Sequence, residues 1–220
     1  MKTLISIDPG MSTGIIVGTY SDTEPFKVTH AFQIEGGVEG FLKEVRVSHG
    51  EDWYMLLYGV LYVGRESFEV YSERRAGGHA DGDFCKDDDC PCFETERDMA
   101  TVLCEKFNAR GEGNGFSYRT SALEPLRIEG AILAMGIDPT WVQPAQQYFL
   151  GGSSKAEKLK ARNAWFKEHK DLGYYITGKN VGCGDADDAR SALAHCIAYL
   201  RRQRHKPTLE LFRRGEDVRD

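Results

Sequence analysis

Thr3-Leu4-Ile5-Ser6-Ile7-Asp8-Pro9-Gly10 is the stretch on which the fold turns. Apolar and β-branched residues alternate up to a carboxylate, and Asp-Pro-Gly closes the run as a turn. The segment therefore reads as a strand that delivers Asp8 to its end. Working outward, Gly14–Thr19 and Phe26–Ile34 read as the next two strands of a meander. Val38–Val45 fits a short helix. Trp53–Val63 is almost continuously apolar, as a strand buried on both faces is, and it ends at Gly64-Arg65-Glu66. Leu123–Met135 fits a helix with Pro125 in its first turn, Thr140–Val142 a short strand, Ser154–His169 a basic helix and Asp185–Arg204 the last helix. Strands first, then strands mixed with helices, predict an α/β fold: a mixed five-stranded sheet flanked by helices.

Two segments depart from this pattern. Residues from 74 to about 120 are rich in Gly, Asp and Cys and read as an insertion in a single domain spanning 1–206, with helical spacing over Glu96–Phe107. The stretch 207–220 is polar and reads as a poorly ordered tail. Charge is uneven within the net −6. Gly77–Asn114 carries ten Asp and Glu against four Lys and Arg, whereas Gly151–Arg214 carries fourteen Lys and Arg against seven Asp and Glu. The basic final third is suited to phosphates, although Lys and Arg also cover ordinary exposed helix faces. No apolar run approaches the roughly 20 residues of a membrane span. The N-terminus enters a strand directly without a signal peptide, so a cytoplasmic protein is expected, with its six cysteines as free thiols or metal ligands.

The last helix opens Asp185-Ala186-Asp187-Asp188-Ala189. On a wheel, Ala189, Leu193, Cys196 and Leu200 form one apolar stripe, Asp185 and Asp188 lie at its edge, and Asp187 points away. Acidic residues in a first turn can simply complement the helix dipole. Inward carboxylates instead need a partner or a metal. Asp8 and Glu66 end strands, where open sheets place their sites, and Glu69 and Glu73 compete with Glu66 for that role. Four oxygen ligands from three elements suit Mg²⁺ or Mn²⁺. His195, seven residues after Asp188 on the same side of the helix, reads either as a neighbour of the metal site or, preferably, as a packed histidine two turns away.

Ile5-Ser6-Ile7-Asp8-Pro9-Gly10-Met11-Ser12-Thr13-Gly14 resembles the opening motif of RuvC-type Holliday junction resolvases of the RNase H-like superfamily, and the chain looks closest to their bacteriophage members. Asp185-Ala186-Asp187-Asp188-Ala189-Arg190-Ser191-Ala192-Leu193 is similar to that family's D-x-x-D-A-x-x-x-L helix. Val63-Gly64-Arg65-Glu66-Ser67-Phe68 resembles the strand ending in its catalytic glutamate, and Ser154-Lys155-Ala156-Glu157-Lys158 resembles its DNA-contacting helix start. The resemblance implies Asp8, Glu66, Asp185 and Asp188 as catalytic ligands of two Mg²⁺ ions that clamp the attacking and leaving oxygens of a phosphodiester. It implies branched DNA, four-way junctions above all, as the substrate. Two symmetric cuts make a homodimer the natural assembly.

Lys155, Lys158 and Arg162, at helical spacing, are the expected DNA-binding residues, joined by Phe68 and Tyr71 beside the glutamate and by Arg201, Arg202 and Arg204. His79, Cys85, Cys90, Cys92 and Cys104 offer a possible structural Zn²⁺ site; free thiols in an acidic loop are the other reading. The alternatives to a junction resolvase are a related nuclease acting on other branched DNA or RNA–DNA hybrids, a non-catalytic branched-DNA-binding module, and a nucleotide-binding phosphotransferase of related fold.

Overall fold

The computed structural model describes residues 1–47, 101–106, 123–134, 139–143, 148–182 and 184–213. Glu66, Phe68, Tyr71, His79, Cys85, Cys90, Cys92 and the expected strand Trp53–Val63 lie outside them. Five strands form one mixed sheet: β1 (Lys2–Asp8), β2 (Ser12–Tyr20), β3 (Lys27–Glu35), β4 (Thr101–Glu105) and β5 (Thr140–Val142). Their order is β3-β2-β1-β4-β5. The first three pair antiparallel as the expected meander, while β4 runs parallel to both β1 and β5. The helices are α1 (Gly37–Val47), α2 (Glu124–Ala134), α3 (Lys155–Glu168), α4 (Gly178–Val181), α5 (Asp187–Arg202) and α6 (Lys206–Arg213). Among the described residues no helix is long and apolar enough to cross a membrane.

β1 is central, so both of its faces are buried, and parity decides which core each side chain joins. Leu4 belongs with Ile16, Phe26 and Leu103 to the core against α5, where Leu193, Cys196, Ile197 and Leu200 pack. Ile5 and Ile7 belong with Val17, Val102 and Cys104 to the core under α1 and α2, against Phe41, Ile128 and Ile132. α1 and α2 are also tied by a buried carboxylate. Glu124 accepts the backbone N–H of Val38 at 2.8 Å and pairs with Arg127 at 2.9 Å. Its capping role lies at the start of α1 rather than on its own helix. On the other side Trp165, Phe166 and Tyr174 close the core, and the buried Tyr174 hydroxyl donates to the Phe26 carbonyl at 2.6 Å.

Two expectations are corrected. Within the span read as helical, Thr101–Glu105 is a strand. It lies inside the supposed 74–120 insertion, yet it is the parallel neighbour of β1 and a central element of the sheet. Thr101-Val102-Leu103-Cys104 is a short apolar run, which periodicity cannot assign. Burial on both sides and pairing with two strands decide it. The second correction concerns residues 206–213, which form α6 rather than a loose tail. Leu211 is buried against the core, and the Arg201 guanidinium lies 4.4 Å from the Phe212 ring centre. Pro207 stands in the first turn of α6, where a missing N–H costs nothing.

Candidate metal centre

β1 delivers Asp8 to the carboxyl end of the sheet. The following turn is closed by reciprocal bonds between Gly10 and Thr13, whose hydroxyl donates to the Gly10 carbonyl at 3.3 Å and accepts its N–H at 3.4 Å. The chain returns as β2, with Gly14 directly opposite Asp8. A Cβ built on Gly14 would stand 2.1 Å from the Asp188 carbonyl carbon and 2.4 Å from the Ala189 nitrogen. Glycine at this position therefore lets the first turn of α5 lie on the strand, which brings Asp188 toward Asp8.

The second carboxylate comes from β4. Ile7 pairs with Cys104, so Asp8 and Glu105 are the next residues along two neighbouring parallel strands. Glu105 has the parity of Leu103 and faces α5, as Asp8 does with the parity of Leu4. Cys104 has the opposite parity and is buried in the core under α1 and α2, where burial pushes its thiol up. Sequence reasoning missed Glu105 because its segment read as a helix. The available signal was a carboxylate ending a short apolar run, the same pattern that singled out Asp8.

From α5, His195 reaches the same place. Its Nε2 lies 2.7 Å from Oε2 of Glu105, and the ring is fully buried. Candidate ligand atoms of Asp8, Glu105 and His195 all lie within 4.8 Å of one another. His195 is thus packed, the favoured reading, and it also joins the acidic cluster, the other reading of its position.

The electrostatics suit a cation. Burial, then the charges of Glu105 and Asp188, push the Asp8 carboxyl well above the ordinary carboxylate range, while Arg162 pulls the other way. Burial also raises Asp188, with Asp187, Glu35 and Asp185 adding to it and a hydrogen bond from Ser12 opposing it. Carboxylates crowded in this manner are relieved by a bound cation. An oxygen-rich donor set fits a hard divalent ion.

The pH dependence has a definite sign. Asp8 and Asp188 have folded-state pKa values above their ordinary ones. Their stabilising contribution is therefore complete below the ordinary value and is lost as pH rises through the raised one. In EDTA, the melting midpoint relative to that of Asp8→Asn is expected to climb as pH falls from neutral toward the ordinary carboxylate value of 3.8. Thermal melts of both proteins across that range check this, and a constant difference between them contradicts it.

Asp185 is placed differently from the helical wheel. The helix starts at Asp187 after Ala186, so Asp185 precedes it and has no helical phase. Its side chain is 67% exposed and accepts from Arg190 at 2.9 Å. Asp187 pairs with the same guanidinium, whose Nη1 also donates to the Ile176 carbonyl at 3.3 Å. Arg162 is likewise displaced from its expected role. It is 1% exposed rather than on a DNA-facing surface, donates to Ser191 Oγ at 3.3 Å and Asn163 Oδ1 at 3.1 Å, and lies 4.0 Å from Asp187. The spacing that set it beside Lys155 and Lys158 instead turns it under α3 onto α5. Lys155 is exposed near the Tyr148 ring, and Lys158 is half-buried. Arg202 and Arg204 are exposed, while Arg201 donates to the Phe149 carbonyl at 2.7 Å. Cys104, enclosed in the sheet core, is not available for the possible zinc site.

The chain thus folds as a mixed five-stranded α/β sheet in the order β3-β2-β1-β4-β5, with a carboxylate at the ends of β1 and β4 and another at the start of the final long helix. Among solved structures, the chain is similar to Thermus thermophilus RuvC in complex with a Holliday junction substrate, at 15% identity and a TM-score of 0.42, over 94% of this chain and 98% of that one. It is similar to a second Thermus thermophilus RuvC structure at 15% identity and a TM-score of 0.38, covering 91% and 96% of the two chains. A fowlpox virus resolvase bound to Holliday junction DNA matches at 12% identity and a TM-score of 0.38, covering 90% and 99%. No family model and no curated protein sequence matches the chain.

Proposed function

We propose that this protein is a divalent-metal-dependent, structure-selective DNA endonuclease that resolves four-way junctions by paired phosphodiester hydrolysis. The observation that carries this reading is the meeting of Asp8 and Glu105 at the ends of adjacent parallel strands, with the charge of Asp188 acting on Asp8. The motif resemblance over Ile5–Gly14 and Asp185–Leu193 supports the same reading. Asp8, Glu105 and Asp188 would hold Mg²⁺ or Mn²⁺ there, and the ion would supply Lewis-acid chemistry for phosphodiester hydrolysis.

The chain's own residues supply position and charge. Asp8, Glu105 and Asp188 are the proposed ligands, and Asp185 and Glu66 remain proposals for the same set. Exposed Lys155, Arg202 and Arg204, with half-buried Lys158, offer cations to DNA phosphates. Such contacts orient the backbone without reading sequence, so binding falls steeply with salt. Phe68 and Tyr71 are proposed as DNA contacts on the resemblance alone. A junction with near two-fold symmetry calls for two copies of the site, hence a homodimer.

The test is cleavage of end-labelled four-way junctions beside a fork, a flap and an RNA–DNA hybrid. Paired symmetric nicks in the junction with Mg²⁺ or Mn²⁺, abolished by EDTA, are expected. Cleavage that survives EDTA contradicts the metal centre. Preferential cutting of the hybrid or flap moves the protein to a different substrate class.

A further inference from the structure

Glu105 reaches the cluster on a side chain with three rotatable bonds, beside the Asp8 carboxyl, whose charge repels its own. Ordering such a side chain is costly, and like charges drive it outward. Two described contacts oppose this: a side-chain hydrogen bond between the Asp8 and Glu105 carboxyls, and the 2.7 Å approach of His195 Nε2 to Glu105 Oε2, the one that comes from a neutral donor on α5. The imidazole cannot easily follow if Glu105 swings away. It is 0% exposed on α5, between Ala194 and Cys196, which are themselves fully buried. Its other nitrogen, Nδ1, is buried with no hydrogen-bond partner among the described residues. A ring carrying its proton on Nε2 explains both nitrogens: Nε2–H donates to the carboxylate, and Nδ1 is a bare lone pair. The reverse tautomer would set a lone pair against Oε2 and bury an N–H with nothing to accept it.

We propose that His195 is a positioning residue for the metal centre: by donating Nε2–H to Oε2 it holds Glu105 turned toward Asp8 and leaves the second carboxylate oxygen to the cation. This rests on reading the cluster as a metal centre. Hydrogen bonds of this kind to a ligating group change metal affinity about 10–100-fold when removed.

The experiment measures Mn²⁺ binding to the full chain by calorimetry and electron paramagnetic resonance. His195→Leu is expected to weaken binding by about 10–100-fold. His195→Gln places an amide donor at similar reach and is expected to stay close to wild type. ¹⁵N-histidine NMR of the wild-type protein, in EDTA and then in Mg²⁺, should show a proton on His195 Nε2 in both states.

Equal Mn²⁺ affinity in His195→Leu and wild type overturns the proposal. So does an equal loss in both variants, because a mere donor would be rescued by Gln. A proton on Nδ1 with Nε2 bare, or a ring nitrogen that binds the metal, overturns it as well. The NMR arm needs no variant and decides the matter even where His195→Leu does not fold. Wild-type protein that binds no Mn²⁺ removes the metal centre itself, whereas wild-type binding with an unaffected His195→Leu removes only the role of His195.

Discussion

Asp8→Asn is expected to abolish junction cleavage, by about 10³-fold or more, at the upper end of what one preorganised electrostatic group contributes to catalysis. The same substitution should leave the metal-free fold intact. Asn keeps the shape of Asp8 and removes a charge that burial and two neighbouring carboxylates disfavour. In EDTA near neutral pH the variant should therefore melt at or above the wild-type temperature. With Mn²⁺ the ranking should reverse, since a ligand that binds only the folded protein stabilises it in proportion to its affinity. Gel assays on labelled junctions and paired melts, with and without metal, check both halves. Robust cleavage by Asp8→Asn removes the proposed site. A large loss of stability in EDTA would show that ionised Asp8 supports the fold, contrary to the direction given by its burial.

Gly14→Ala is expected to damage both fold and activity. The added Cβ would lie 2.1 Å from the carbonyl carbon of Asp188 and 2.2 Å from its oxygen. These are backbone atoms of a helix packed on the sheet, so no flexible side chain can yield. Overpacking of this kind costs about 2–3 kcal/mol. For a chain of this size that corresponds to a fall of about 5–10 °C in melting temperature. Relief requires α5 to lift from β2, which carries Asp188 away from Asp8 and His195 away from Glu105. Cleavage and Mn²⁺ affinity should fall together with stability, unlike the separation expected for Asp8→Asn. An unchanged melting temperature in Gly14→Ala would mean that the strand and helix are not in contact there.

The meander was legible in the sequence because β1 to β3 are joined by short turns and pair locally. α2, α3 and α5 were legible from apolar spacing and start signals such as Ser154, whose side chain accepts the Glu157 N–H. β4 was not legible. A five-residue strand buried on both faces has no alternation, and its pairing partner β1 lies about a hundred residues away in sequence. The loss propagated to the site, since Glu105 depends on β4 being a strand. Asp8 and Asp188 were identifiable from local pattern. Asp185 was misplaced because the helix begins two residues later than its acidic run suggests. Arg162 was misread because a basic residue at helical spacing resembles a solvated face, whereas its buried guanidinium is received by Ser191, with the exposed Asp187 4.0 Å away. His195 carried only its position two turns after Asp188 on the same side of the helix, which cannot tell a core filler from a residue that touches a carboxylate.

The alternation along β4 has a chemical consequence. Cys104 and Glu105 are consecutive, and only the pairing of Cys104 with Ile7 decides which of them meets Asp8. A slip of one residue against β1 would withdraw a hard oxygen donor and present a soft sulfur in its place. At the proposed metal centre, the hydrogen-bond ladder between two strands therefore decides whether oxygen or sulfur faces the ion, and its register favours a metal that prefers oxygen.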